Sequence, residues 1–392
     1  MKIAHISDSH TGYAQYRLIE RKKDFLLAFE RAIDESLNRK VDLIIHTGDL
    51  FESYQPDMAT FSAVIKILQK VKSAGVEFLA ITGNHDRALR GGVVPPHRVL
   101  EELGLLKFLN IKPGIPVKEQ VFSDGNFVIA GFQYLPKRLL DAFKEDIFPA
   151  LSELAAKSKT SILMFHQGIK QYLPYEESYE MDFADLPEGF DYYAGGHVHA
   201  FLKENVKGGI LSYAGATEFR SRREAERNFR GFNIFDTKEK KLERIELEGL
   251  RPFIVVNCNE ENVKEELEKA LSRAEESEIP PIVVVDYKFR GLEIETFSET
   301  LKSLEKVSLT LRILKKRLEG EEKELTGGKG KSYATFLEEF MKEKGAGSSA
   351  IKVAKELLDA SPEHVEEILK AFSFEMTGSE RLKEFLDGVG DF

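Results

Sequence analysis

The 392-residue chain carries 42% hydrophobic and 31% charged residues and a formal net charge of −10, the balance of a soluble globular protein long enough for two or more cored domains. No stretch approaches the ~20 apolar residues of a membrane span, and the opening MKIAHISDSH lacks the apolar core and cleavage site of a secretory signal, so a cytoplasmic protein is expected. A single cysteine, Cys258, excludes an internal disulfide and a thiolate cluster; the negative charge argues against broad non-specific nucleic-acid binding.

In chain order, residues 2–8 read as a buried strand, 22–38 as an amphipathic helix, 41–49 as a second strand, 58–74 as a helix and 76–86 as a third strand. This β-α-β-α-β rhythm predicts a mostly parallel sheet with helices on its faces. Shorter alternating strands are expected over 115–135, a helix over 137–157, and strands at 161–168, 189–199, 208–219, 230–237 and 241–247. Two sheets covered by helices make an α/β, four-layer αββα sandwich. Leu250-Arg251-Pro252 marks a boundary. Beyond it, residues 250–317 form a compact β-α-β-α-β unit without histidine, with helices over 260–274 and 294–305. Residues 318–331, charged and glycine-rich, read as a flexible linker. Short amphipathic helices are expected at 332–343, 348–359 and 361–372, where Phe336, Leu337, Phe340 and Met341, then Ile351, Val353, Ala354, Leu357 and Leu358, repeat at helical spacing. So small a unit has a marginal core, which makes docking on a partner as reasonable as independent folding.

Five short blocks of metal-binding residue types close predicted strands: Asp8-Ser9-His10, Gly48-Asp49-Leu50-Phe51, Gly83-Asn84-His85-Asp86, Phe165-His166-Gln167-Gly168 and Gly196-His197-Val198-His199. The carboxyl ends of strands are where open α/β sheets place their sites. Each block alone has a plain alternative: Asp8-x-His10 as a strand cap, Gly48-Asp49 as a turn, His166 as a core histidine. His197-x-His199 carries more, because side chains at i and i+2 point the same way on a strand. Together the five describe a two-metal phosphoesterase site. Asp49 is the best bridge between two ions. Asp8, His10 and His199 can complete one, and Asn84, His166 and His197 the other. Nitrogen and oxygen donors of this kind suit Mn, Fe, Zn or Mg. His85 is needed by neither ion and can act on the leaving oxygen or the transition-state charge, with Asp86 as a conceivable orienting group. His5 and His46 lie within strands and read as core or outer partners of the ligands; His97 and His364 carry no signal. Arg17, Arg21, Lys22 and Lys23, and Arg220, Arg222, Arg223, Arg227 and Arg230, are two candidate basic faces, for which an ion-paired surface is the plainer reading.

In this order the blocks resemble those of calcineurin-like metallophosphoesterases. DSHTGY, GDLF, GNHD, MFHQG and GHVH narrow the resemblance to the DNA double-strand-break repair nucleases called SbcD in bacteria and Mre-type in archaea and eukaryotes. It covers residues 1 to about 250 well, extends in outline through a unit similar to that family's capping domain, and is less specific in the tail. The resemblance implies a nuclease domain at 1–249, a capping domain at 250–317, a linker at 318–331 and an ATPase-binding helical segment at 332–392. It implies two Mn²⁺ per subunit, a 3′–5′ exonuclease on duplex ends and an endonuclease on single strands, and a Rad/SbcC-type coiled-coil ATPase partner. One Mn²⁺ would rest on Asp8, His10, Asp49 and His199, the other on Asp49, Asn84, His166 and His197, with His85 as the transition-state histidine. It further implies a homodimer through nuclease-domain helices, where Phe61, Val64, Ile65 and Leu68, and Val99, Leu100 and Leu103, form apolar stripes that packing on the sheet also explains in part. One departure stands out: many relatives have histidine three residues after the bridging aspartate, and this chain has Glu52, which bears on the balance of exonuclease and endonuclease action. Thr11 in place of a frequent leucine is minor. Competing readings are a phosphoprotein or cyclic-nucleotide phosphoesterase, disfavoured by Leu50-Phe51-Glu52-Ser53 where a phosphatase carries an arginine-bearing extension, and a scaffold that tethers DNA ends.

Overall fold

The computed structural model describes residues 1–317 apart from 89–92, 125–126, 174–177 and 228–229. The expected linker, the expected C-terminal helices and His364 lie outside the described residues. The first half runs β1 (Lys2–Ile6), α1 (Ile19–Asn38), β2 (Leu43–Thr47), α2 (Met58–Ser73), β3 (Glu77–Ile81), α3 (Pro96–Glu102) and β4 (Lys107–Phe108). The second runs β5 (Phe122–Ser123), β6 (Phe127–Gly131), α4 (Lys137–Lys157), β7 (Thr160–His166), β8 (Tyr192–Gly196), β9 (Leu202–Val206) and β10 (Gly209–Tyr213). The chain then passes through α5 (Arg222–Arg227), returns as β11 (Gly231–Asp236) and β12 (Lys241–Glu246), and ends its described part in β13 (Phe253–Asn259), α6 (Val263–Glu275), β14 (Ile282–Phe289), α7 (Ser298–Val307) and β15 (Thr310–Arg317).

Strand composition sets the layering. β1, β2, β3, β7 and β8 are apolar on both faces and almost wholly buried, the signature of parallel strands covered on each side. Among the described residues they lie in two six-stranded sheets, β12-β11-β1-β2-β3-β4 and β5-β6-β7-β8-β10-β9. The inner faces meet through Ile3, Leu43, Ile45 and Leu79 on one side and Ile129, Ile162 and Met164 on the other. On the outside, α1 buries Phe25, Ala28, Phe29, Ala32 and Ile33 at helical spacing against the first sheet. α4 buries Leu140, Phe143, Ile147 and Leu151 against the second. The result is the expected αββα sandwich.

Three details depart from the sequence reading. The edge strand β9 is unanticipated because its sequence, LKENV, is mostly charged and exposed; the Lys207-Gly208 turn, with both φ positive at 51° and 81°, supplies the hairpin that attaches it. Among the described residues of 115–135, the strands are the two-residue β5 and the five-residue β6 rather than a longer run. The short helix α5 falls where the sequence offers only a run of charges.

β13, β14 and β15 form a separate, wholly parallel three-stranded sheet with its own core, including Val256, Leu267, Val285, Tyr287 and Leu304. Cys258 is buried there, away from any ligand block. The unit is tied to the sandwich by the Arg251 guanidinium donating to Asp24 at 2.7 Å, by an Arg222–Asp286 ion pair and by Asn257 donating to Glu226 at 3.0 Å.

His5 joins the two sheets. Its Nδ1 lies 2.6 Å from the Tyr192 hydroxyl and its Nε2 2.9 Å from the Thr47 hydroxyl. Burial, helped by the nearby Arg244 cation, lowers its pKa to about 3. The unfolded chain therefore takes up a proton near pH ~6.5 that the folded protein rejects. The stability His5 contributes is complete above that pH and is lost as pH falls toward 3. At about 1.4 kcal/mol per pH unit, acidification of the metal-free protein from pH 7 to 4 costs about 3 kcal/mol through this residue. Urea titrations of His5→Gln are expected to show a correspondingly shallower acid loss; equal pH slopes for variant and parent would contradict this.

Candidate metal centre

The ligand blocks leave their strands through sharply turned backbone. Asp8, His10, Asp49 and His197 all have positive φ, at 51°, 43°, 54° and 89°. Non-glycine residues there cost on the order of 1–3 kcal/mol each and persist only where the surroundings over-determine them. Here the first two loops are zipped together: Asp8 N donates to Gly48 O at 3.2 Å, His10 N to Asp49 O at 2.9 Å and Thr11 N to Leu50 O at 2.9 Å. Asp86 fastens the second loop to the third, accepting from Phe51 N at 3.1 Å and Gly83 N at 2.8 Å. Its carboxyl is thus a loop brace and not the orienting partner of His85 suggested by its place in the sequence.

Two glycines are dictated by close approach. A Cβ on Gly48 would stand 2.4 Å from His166 Nδ1, and one on Gly196 would stand 2.0 Å from Thr47 O. Gly48 also has φ +95°, a conformation glycine adopts without steric cost.

These loops bring all seven sequence-predicted ligand residues into one centre at the end of the sandwich. Asp49 Oδ2 lies 3.3 Å from His166 Nε2 and 3.7 Å from His10 Nε2, between the two rings. His10 Nε2 and His199 Nε2 are 3.2 Å apart, and Asp8 Oδ1 stands 3.8 Å from His199 Nε2. On the other side, Asn84 Oδ1 lies 3.2 Å from His166 Nε2 and 3.1 Å from His197 Nδ1. Among the described residues, donor atoms of Asp8, His10 and His199 fall within 4.8 Å of one another, as do those of Asp8, Asp49 and His166. Asp8 Oδ1 is also 4.0 Å from His166 Nε2, so this carboxylate stands nearer to both groups than the sequence alone suggests.

Burial and mutual charge set the titration of these groups. Burial opposes ionisation of Asp49, but the His166 and His10 rings beside it hold its carboxyl well below the usual range. Burial also works against a charged His166, yet Asp49 and then Asp8 raise it to about 9. Burial lowers His10 far below its ordinary value and takes His197 to about 3, while it raises Asp8. Two buried carboxylates among four imidazoles and an amide oxygen, with no thiol near them, are donors of the borderline-to-hard kind that Mn²⁺, Fe²⁺ or Zn²⁺ accepts.

His85 lies beside this centre. Its backbone N–H donates to Asp49 Oδ1 at 2.9 Å, while its ring Nδ1 faces the Glu52 carbonyl at 3.2 Å and packs edge-on to His10 at 4.9 Å between centroids. A third group of donors, His10, Glu52 and His85, also falls within 4.8 Å. It would use His10 Nδ1, the nitrogen turned away from Asp49 and His199. Glu224 and Arg220 also reach the centre: His199 Nδ1 lies 3.2 Å from Glu224 Oε1, and the Arg220 guanidinium donates to Glu52 Oε1 at 2.9 Å. Sequence reasoning gave neither a role at the centre, since both sit in a charge run far from the ligand blocks. A cleft of about 460 Å³ opens beside His197 and His199, lined also by Tyr172, Leu173, Leu202 and Arg223.

The candidate basic faces are largely neutralised. Arg21 is buried against Asp24 and Glu218, Lys22 pairs with Asp57, Arg222 with Asp286 and Arg230 with Glu218, as the plainer reading expected. The side chain of Arg227 lies outside the described residues.

The calcineurin-like phosphoesterase family matches residues 1–201. The chain is 33% identical to the DNA double-strand break repair protein Mre11 of Saccharolobus solfataricus over 80% of its own length and 82% of the relative's. It is 35% identical to that of Sulfurisphaera tokodaii over 68% of each chain. It is 29% identical to that of Sulfolobus acidocaldarius over 95% of its length and 99% of the relative's. With the ligand blocks gathered at the strand ends of an αββα sandwich, these similarities make the chain a calcineurin-like phosphoesterase of the Mre11 family.

Proposed function

We propose that the protein is a Mn²⁺-dependent DNA nuclease that trims double-strand ends 3′–5′ and cuts single strands during break repair. The observation that carries this reading is Asp49, a buried carboxylate standing between His10 and His166, with separate donors grouped on either side of it. Asp8, His10, Asp49 and His199 would hold one cation, and Asp49, Asn84, His166 and His197 the other. When bound, a pair of divalent cations polarises the phosphoryl oxygens and readies water for in-line attack.

The chain's own residues do the rest. The hydrogen bonds between the loops hold the backbone that carries the donors, which limits reorganisation on cation binding. With Nδ1 turned to the Glu52 carbonyl, His85 keeps its ring steady and leaves Nε2 to hold a proton for the leaving oxygen or to bond a phosphoryl oxygen. Its position next to Asp49, through the backbone, sets it within the centre without committing its ring to an ion. The cleft beside His197 and His199 is the space open to a DNA strand.

The names of the relatives favour DNA over a phosphoprotein or cyclic nucleotide. Phosphatase and scaffold readings are separated by one assay: purified protein with Mn²⁺ is expected to release nucleotides from linear duplex DNA and to leave phosphopeptides and cyclic nucleotides essentially intact. The reverse preference, or inertness towards all three, would contradict the proposal. By the same family likeness we infer an SMC-like coiled-coil ATPase partner bound through residues 332–392, and a homodimer. Val64, Leu68 and Leu100 are committed to the core and the part-buried Phe61 and Ile65 pack against it, whereas Val99 is part-buried and Met58 and Leu103 are 76% and 51% exposed on the same helices or at their end. These outward residues support a dimer surface on α2 and α3. Among the described residues no helix is long and apolar enough to cross a membrane.

A further inference from the structure

His10 and His199 differ from the other two histidines of the centre in what stands behind them. Their Nε2 atoms meet at 3.2 Å, and each Nδ1 turns outward to a glutamate. His10 Nδ1 lies 3.0 Å from Glu52 Oε2, within ion-pair range, and both atoms are buried and without a hydrogen-bond partner. His199 Nδ1 lies 3.2 Å from Glu224 Oε1.

One residue holds both glutamates. The Arg220 guanidinium donates to Glu52 Oε1 at 2.9 Å, and the Arg220 backbone N–H donates to Glu224 Oε2 at 2.8 Å. The Ser221 hydroxyl donates to Glu224 Oε1 at 3.0 Å, and the guanidinium rests over the Tyr13 ring at 4.8 Å. The other half of the centre is built differently. His166 turns its Nδ1 to a peptide carbonyl, Thr47 O, at 2.7 Å. His197 turns its Nδ1 inward to Asn84, and among the described residues no carboxylate backs either ring.

A carboxylate behind an imidazole fixes the tautomer with Nδ1 protonated and makes Nε2 a stronger donor to a cation, more so than a neutral carbonyl does. The two glutamates, offset in part by the Arg220 guanidinium, also leave net negative charge behind His10 and His199. The His10–Glu52–His85 group is explained in the same way: His10 already presents Nε2 to Asp49 and His199, which leaves its Nδ1 facing the Glu52 carboxylate.

We propose that Arg220, Glu52 and Glu224 form a positioning shell that sets His10 and His199 for one divalent cation and makes that cation the more tightly held of the two. This rests on the two-cation reading above. The shell lies beyond the ligand blocks: Glu52 follows the second block, and Arg220 and Glu224 come from the segment leading into and through α5.

The test is a Mn²⁺ titration of the full chain, reading free Mn²⁺ by electron paramagnetic resonance, with thermal melting of the metal-free protein as a check on folding. The parent is expected to bind two Mn²⁺ with resolvable affinities. Glu224→Gln, which keeps shape and removes charge, should weaken the tighter one by about 10–100-fold, the usual effect of losing such an outer partner, and leave the weaker within about threefold. Glu52→Gln should weaken the same one. Asn84→Ala should do the opposite, losing the weaker cation and keeping the tighter. Two Mn²⁺ with affinities unchanged in both glutamine variants, or weakened equally, would overturn the shell alone. A parent that binds no Mn²⁺ would overturn the two-cation reading and the shell with it.

Discussion

Asp49→Ala is expected to abolish DNA cleavage, by more than about 10³-fold, the scale set by loss of a single strong electrostatic group in a catalytic site, and to remove Mn²⁺ binding at both positions. Asp49 is 1% exposed and its carboxylate faces His10 Nε2 and His166 Nε2 from between them, so neither half of the centre keeps a full donor set without it. The fold should survive. His166 holds its extra proton chiefly because Asp49 outweighs the effect of burial; without Asp49 the ring discharges to its neutral form and leaves no buried cation unpaired. Metal-free Asp49→Ala should therefore melt close to the parent, whereas Mn²⁺, which raises the parent's Tm by binding only the folded state, should leave the variant's Tm unmoved. A variant that still gains stability from Mn²⁺ would show that the cations are held elsewhere.

His85→Gln has the opposite signature: cleavage falls by about 10²–10⁴-fold, the range for a positioned proton donor, while both Mn²⁺ affinities stay within about threefold. The ring's Nδ1 is turned to the Glu52 carbonyl, and its link to the centre is the backbone N–H on Asp49, which glutamine preserves. Metal titration in parallel with cleavage separates this role from ligation. If His85→Gln loses a cation, the group formed by His10, Glu52 and His85 is a binding position and the proton-donor role fails.

Most of the fold was readable because its signals are local. The runs KIAHI, LIIHT and SILMFH are buried on both faces as their unbroken apolar character implies, and α1 and α2 follow their hydrophobic spacing. The candidate ligands were readable because each lies at or shortly past the end of a buried strand; His197 and His199 fall beyond β8, which ends at Gly196, and not on the strand as expected. β9 was not, since an edge strand with charged side chains has no pattern to distinguish it from a loop. Nor were Asp86 as a brace and Glu224 as a partner of His199. Their roles depend on which loops the tertiary structure brings together, Asp86 across 35 residues from Phe51 and Glu224 across 25 from His199. The positive φ of Asp8, His10, Asp49 and His197 is likewise a product of packing against neighbouring loops, against the preference of the residues themselves. Glu52 shows both sides: its departure from the family pattern is visible in sequence, whereas its place between His10, His85 and Arg220 comes only from the structure.

A crystal soaked in Mn²⁺ and measured for anomalous scattering tests the centre most directly. Two peaks are expected about 3.5–4 Å apart, one touching Asp8, His10 and His199, the other Asn84, His166 and His197, with Asp49 touching both. A single peak, or one lodged among His10 Nδ1, Glu52 and His85 with none beside His166, would contradict it.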